Sequence, residues 1–233
     1  MKNRLALAAD LPLPEALAIY RKVAPFVGVA KVGLSLFVEH GPAAVKAFVD
    51  QGARVFLDLK LHDIPNTVEL AAARAGALGA AYLTVHASGG KAMLEAAVRG
   101  SAEGAAKAGK AAPVILAVTV LTSMDQAALA ATGVEVSVEA QVGRLAALAA
   151  LAGAGGLVCS VREVGAVRMI VGPSMVLCTP GIRLAGAAQD DQARVDTPEA
   201  AVRAGSNLLV IGRPIYEAAD PAKAAEAILA SIS

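Results

Sequence analysis

The sequence predicts an α/β fold, a closed (β/α)8 barrel of the TIM type, from three observations: eight short apolar runs, longer amphipathic stretches between them, and a length of 233 residues. Runs that are apolar throughout belong to strands covered on both faces, and a helix after each strand calls for a parallel sheet. Eight such units in a chain of this length close into a barrel. An open, doubly wound sheet is the alternative, but no G-x-G-x-x-G follows the first apolar run to support it. Barrels of this kind commonly reach this size as one unit, and no Ser/Pro-rich tract, charge block or low-complexity segment marks a linker. The expectation is a single domain over residues 1–233.

In chain order the strands are LALAAD (5–10), VAKVG (29–33), RVFLDLK (54–60), YLTVHA (82–87), PVILAVTV (113–120), GLVCS (156–160), MVLCTP (175–180) and NLLVIG (207–212). The intervening stretches PEALAIYRKVAPF, GPAAVKAFVDQG and KAMLEAAVRGSAEGAAKAG repeat apolar residues at three and four, the helical period. The longest uncharged segment, Leu145 to Val161, is broken by GAGG and reads as the end of a helix, a turn and a strand, not as a membrane span. Near the C-terminus, Asp196-Thr197-Pro198-Glu199 and Asp220-Pro221 each offer a cap followed by a first-turn proline. Between Thr179 and Asp196 the run GIRLAGAAQDDQARV has neither period. A connection of that length in a compact domain reads as a functional lid, here over about residues 180–197.

A formal net charge of +1, with basic and acidic residues interspersed, gives no field that would draw nucleic acid or an anionic membrane. Cys159 and Cys178 both fall in apolar runs and lack metal-ligand or disulfide spacing, so they are expected to be core thiols. MKNRLALAAD opens with positive charge, but its apolar run LALAA is cut by Asp10 and is too short for a secretory h-region. The expectation is a soluble, cytoplasmic chain.

Polar residues gather where strands end. Asp10 closes the first strand, Lys31 lies near the end of the second, and FLDLKLHDIPNT carries Asp58 and Lys60 at the end of the third with Asp63 just beyond. Asp58 and Lys60 are two apart, so a strand turns both to one face. If that face met the helix layer, both charges would be buried at a cost of several kcal/mol per ion; at the barrel mouth they can pair and meet a ligand. A second group follows the last two strands: Pro180-Gly181-Ile182-Arg183, Gln192 and Gly212-Arg213. Barrels often bind phosphate there, where glycine admits backbone N–H groups and arginine supplies a forked cation.

The decapeptide from Asp58 to Thr67, DLKLHDIPNT, resembles the signature of the orotidine 5'-phosphate decarboxylases, which catalyse the last step of de novo UMP synthesis. LAAD, AKVG, VTVLTS, TPGIR, DDQARVDTP and VIGRPI appear in that family's order along the whole chain. The D-x-K-x-x-D core is shared with sugar-phosphate decarboxylases of the same superfamily, whereas Ile64-Pro65-Asn66-Thr67 is more specific. The resemblance implies a charged array of Lys31, Asp58 and Lys60, completed by Asp63 from the partner of a homodimer. It further implies Asp10 at the ribose with the partner's Thr67 nearby, Thr122 (or the adjacent Ser123) at the pyrimidine, and Arg183, Gln192, Gly212 and Arg213 at the phosphate. The substrate would be orotidine 5'-phosphate, with no cofactor and no metal.

Three other readings compete. A magnesium-dependent sugar-phosphate decarboxylase or aldolase would use the same D-x-K-x-x-D. A histidine and acid metal site could recruit His62 and His86, but the chain has only three histidines, the third being His40 before Gly41-Pro42. A non-catalytic sensor of phosphate ligands would need the fold but not a lysine between acids.

Overall fold

The computed structural model describes residues 1–182 and 196–233. The first half runs β1 (Leu5–Ala8), α1 (Leu13–Val23), β2 (Val29–Val32), α2 (Leu34–His40), α3 (Pro42–Val49), β3 (Arg54–Leu61), α4 (Pro65–Leu78), β4 (Tyr82–His86) and α5 (Lys91–Lys107). The second half runs β5 (Val114–Val118), α6 (Gln126–Ala131), α7 (Val138–Leu151), β6 (Gly156–Val158), α8 (Val161–Val171), β7 (Val176–Thr179), α9 (Pro198–Ala204), β8 (Leu208–Ile211), α10 (Arg213–Tyr216) and α11 (Pro221–Ser231). All eight strands are parallel to their neighbours, and β8 pairs with β1 to close the barrel. Every expected strand occurs, each trimmed or extended by only a few residues.

Two apolar layers follow from strand alternation. Residues of one parity, among them Ala6, Val29, Phe56, Tyr82, Leu116, Cys178 and Leu208, fill the barrel interior. Those of the other parity, such as Leu7, Ala30, Leu57, Leu83, Leu157 and Leu177, pack outward against the helices. Phe56 meets Tyr82 edge-on at 6.0 Å, and the Arg54 guanidinium covers the Tyr82 ring at 5.2 Å, so aromatic bulk plugs the barrel below its mouth. Both cysteines are buried, as their apolar setting predicts.

The helix layer uses the alanine and glycine content directly. A Cβ at Gly104 of α5 would lie 1.9 Å from the Ala73 carbonyl oxygen of α4, and one at Gly100 would lie 2.3 Å from that of Glu69. These glycines let the two helices approach to backbone contact, and Arg99 with Glu69 ties their outer edges by an ion pair. The expected caps form: Thr197 accepts from the Ala200 N–H at the start of α9, and Asp220 from the Ala222 and Lys223 N–H groups at the start of α11. At the end opposite the mouth, Arg168 of α8 donates to the Gly172, Met175 and Gly205 carbonyls and to Asn207 Oδ1, stapling the turns before β7 and β8. No helix among the described residues is long and apolar enough to cross a membrane.

Candidate active site

The inward parity that packs the barrel also carries the polar residues to its mouth. Ala6 and Ala8 point inward on β1, and Asp10 lies two positions further; Val29 is followed by Lys31 on β2, and Phe56 by Asp58 on β3. Asp10, Lys31, Asp58 and Lys60 line one cavity of about 290 Å³ together with Thr122, Ser123, Gly181, Gly212 and Arg213. The charged pair at the end of the third strand therefore faces the mouth and not the helix layer. Phe56, Val118, Val158, Cys178 and Val210 form the apolar part of the wall.

Within this cavity the charges alternate. Lys31 Nζ lies 3.2 Å from Asp10 Oδ1 and 3.9 Å from Asp58 Oδ2, while Lys60 Nζ lies 2.8 Å from Asp58 Oδ1. Asp58 and Lys31 are the sunk members, with side chains 13% and 10% exposed, whereas 31% of the Lys60 side chain is open to the cavity mouth. An ammonium that is charged, anchored on one side and accessible on the other can stabilise negative charge in a ligand and deliver a proton to it. The neighbouring Gly33 makes room for the outer pair, since a Cβ there would stand 2.8 Å from Lys31 Nζ and 3.1 Å from Asp10 Oδ1.

Lys60 reaches this position by leaving ordinary strand geometry. It has φ 50°, the only positive value among the described non-glycine residues. The register with β4 also slips: Leu57 pairs with Leu83 but Leu61 with Val85, so β3 holds two more residues than β4 over that span. Strand alternation alone therefore does not account for Asp58 and Lys60 sharing the cavity. At the bulge the Lys60 N–H donates to Thr84 Oγ1 at 2.9 Å, and the same hydroxyl donates to Asp58 Oδ1 at 2.9 Å.

A model of the family described as "Orotidine 5'-phosphate decarboxylase / HUMPS family" matches residues 3–228. The chain belongs to that family. It is 57% identical over 231 residues to the orotidine 5'-phosphate decarboxylase of Anaeromyxobacter sp. (strain K), covering 99% of this chain and 98% of that one. It is 50% identical to the Moorella thermoacetica orotidine 5'-phosphate decarboxylase, over 99% of this chain and 92% of that one. Among solved structures it is similar to orotidine 5'-phosphate decarboxylase from Lactobacillus acidophilus, with a TM-score of 0.87, 38% identity and 98% of both chains covered.

Not every residue that the decarboxylase resemblance pointed to enters this cavity. Asp63 and Thr67 are exposed and lie outside the cavity lining of their own chain, and Asp63 Oδ1 accepts from the Ile64 N–H at the start of α4. Arg183 and Gln192, with most of the expected lid, lie outside the described residues. Thr122 and Ser123 both line the cavity, so either can face a ligand base. Gly212, expected at a phosphate, has a packing reason of its own: a Cβ there would stand 2.9 Å from the Ala8 carbonyl oxygen, so the strand end needs glycine to lie against β1.

The family signature did not mark Thr84, Gly33 or Tyr216, which also lines the cavity. Thr84 carried one signal, since it follows the inward Tyr82 by two positions and is the one aliphatic hydroxyl of its strand. His62 and His86 bring their rings to 5.3 Å beside Lys60's end of the strand pair. Burial, then the nearby His62 and Lys60, pushes the His86 imidazole below its usual value. Burial likewise drives the Cys178 thiol well above its usual range, and the charge of Asp58 adds to this, which makes it an inert wall group and not a nucleophile. Among the described residues no group of three or more His, Cys, Asp or Glu is arranged to hold a metal ion.

Proposed function

We infer that this chain is a carboxy-lyase, an orotidine 5'-phosphate decarboxylase that converts orotidine 5'-phosphate to UMP and CO2 as one barrel domain. The observation that carries the reading is the Lys60 ammonium, held 2.8 Å from Asp58 and open to the cavity on its other side. Loss of CO2 from C6 of the orotate ring leaves an electron pair in the ring plane, where no adjacent carbonyl can delocalise it. Its stabilisation must come from charge fixed in advance. Lys60 supplies that charge at C6 and then donates its proton there, while Asp58 and the partner's Asp63 keep it charged and aimed.

The magnitudes divide the work. A substrate carboxylate about 4 Å from Asp58 would be repelled by roughly 4 kcal/mol at an effective dielectric near 20. Enzymes lower barriers by roughly 8–23 kcal/mol, so repulsion in the ground state accounts for a minority of the effect. Carbanion stabilisation and remote binding supply the rest. Gly212 and Arg213, joined by Arg183 and Gln192 of a lid over about residues 180–197, would grip the phosphate and offset the cost of seating one anion beside another. Asp10 would hold the ribose, and Thr122 or Ser123 the pyrimidine.

The reading includes a cytoplasmic homodimer with shared sites, in which Asp63 and Thr67 complete the partner's cavity. Supporting this, both residues are exposed and stand apart from their own cavity, and the apolar side chain of Ile64, next to Asp63 in sequence, is 66% exposed. The names borne by the relatives favour this substrate over a sugar phosphate. Spectrophotometric turnover of orotidine 5'-phosphate, undiminished by EDTA, is the expected result. Loss of activity on chelation would favour the magnesium-dependent reading, and UMP binding without turnover would favour a sensor. Mixing inactive Lys60→Ala and Asp63→Ala chains should restore part of the activity through hybrid dimers, and no recovery after verified subunit exchange would remove Asp63 from the partner's site.

A further inference from the structure

We propose that Thr84 is a positioning residue for the decarboxylation, its hydroxyl fixing both the backbone of Lys60 and the carboxylate of Asp58 from the neighbouring strand. The inference rests on the decarboxylase reading and deepens it. Thr84 is 1% exposed, points to the barrel interior and does not line the cavity, so contact with substrate is not its role. It stands at the step where β3 gains residues relative to β4. Its Oγ1 accepts from the Lys60 N–H at 2.9 Å and has one proton to give, which goes to Asp58 Oδ1 at 2.9 Å. That same oxygen of Asp58 accepts from Lys60 Nζ at 2.8 Å, so four polar groups of three residues form a closed ring: backbone N–H of Lys60, hydroxyl of Thr84, carboxylate of Asp58, ammonium of Lys60.

The ring answers two needs that no other described contact meets. Lys60 is held in the left-handed region, where a side chain with a Cβ does not stay without a compensating bond. The extended alternative would realign the register and swing the ammonium along the strand. Meanwhile the Asp58 carboxylate must be prevented from rotating toward Lys31, which lies 3.9 Å from its other oxygen. A hydroxyl both accepts and donates, so threonine and serine can close this ring, whereas valine, of nearly the same shape, can do neither.

The test compares wild type with Thr84→Val, Thr84→Ser and Thr84→Ala by kcat, KM for orotidine 5'-phosphate, UMP affinity and thermal midpoint. Misplacing a catalytic group by about 1 Å costs on the order of 10²-fold in rate, so kcat of the valine variant should fall by about that factor. KM and UMP affinity should stay within about threefold, because the hydroxyl touches no ligand, and serine should return kcat to within about threefold of wild type. If the valine variant does not fold, the serine and alanine variants carry the same comparison. Wild-type kcat in a folded valine or alanine variant would overturn the proposal. So would a serine variant as slow as the valine one, or UMP affinity lost in step with kcat. A wild-type chain without turnover would instead sink the decarboxylase reading, an outcome distinct from equal rates in all four proteins.

Discussion

Two substitutions at Lys60 separate what its ammonium does from what its backbone costs. Lys60→Ala and Lys60→Gly remove the same charge, but only glycine removes the Cβ that is strained at φ 50°. That strain is worth about 1–2 kcal/mol, part of which is offset by the greater unfolded freedom of glycine, about 0.5–1 kcal/mol. A net gain of about 1 kcal/mol should place the glycine variant about 2–4 °C above the alanine variant in thermal midpoint for a domain of this size. Both should be inactive to the same degree. An ammonium about 3 Å from the developing anion contributes roughly 5.5 kcal/mol at an effective dielectric near 20. Its loss corresponds to about ten-thousandfold in kcat, before the missing proton donor is counted. The absorbance change as orotidine 5'-phosphate is consumed measures the first effect, and thermal melts of the two variants measure the second. Turnover above about a tenth of wild type in either variant would refute the role of the ammonium. Equal midpoints would refute the claim that the left-handed backbone stores strain.

Other consequences concern the opposite end of the barrel, the Arg213 end of the cavity and the rim. Arg168→Met strips the donors from four acceptors in the turns before β7 and β8, and urea unfolding should show a loss of about 2–3 kcal/mol with kcat per folded molecule unchanged; an unmoved midpoint would show that water replaces the guanidinium without penalty. Arg213→Ala should raise KM for orotidine 5'-phosphate about tenfold or more and weaken inhibition by inorganic phosphate in parallel, and unchanged kinetics would take Arg213 out of the phosphate site. For His86, whose imidazole is held below its ordinary value of 6.5, the unfolded chain takes up the proton first as pH falls. Its contribution to stability is therefore complete above that unfolded value and drains away as pH drops from it toward the lowered folded one. His86→Gln should flatten the stability profile as pH falls below the ordinary imidazole value of 6.5, and identical slopes for the two proteins would show that His86 is not the group responsible.

The barrel and most of its mouth were legible in the sequence because they depend on local patterns. Continuous apolar runs identify strands covered on both faces, and the two-residue period carries inwardness from Ala6 and Ala8 to Asp10, from Val29 to Lys31 and from Phe56 to Asp58. Gly212 was marked as a ligand position, yet its close approach to the Ala8 carbonyl could not be read from spacing, because that distance belongs to the pairing of β8 with β1. Gly33 escaped for the same reason: what its missing side chain leaves room for, Lys31 and Asp10, comes together only when two strands are in register.

By itself, then, the sequence determined the number and order of strands, the parity that turns acids and lysines toward one rim, and the family to which that rim belongs. Only the tertiary structure decided how Lys60 is held. Its left-handed backbone, the slipped register beside β4 and the Thr84 hydroxyl that joins it to Asp58 are consequences of one another. The physical reason is that a hydrogen bond between strands is fixed by their relative alignment, a property of two segments 24 residues apart that neither segment's own composition or period contains.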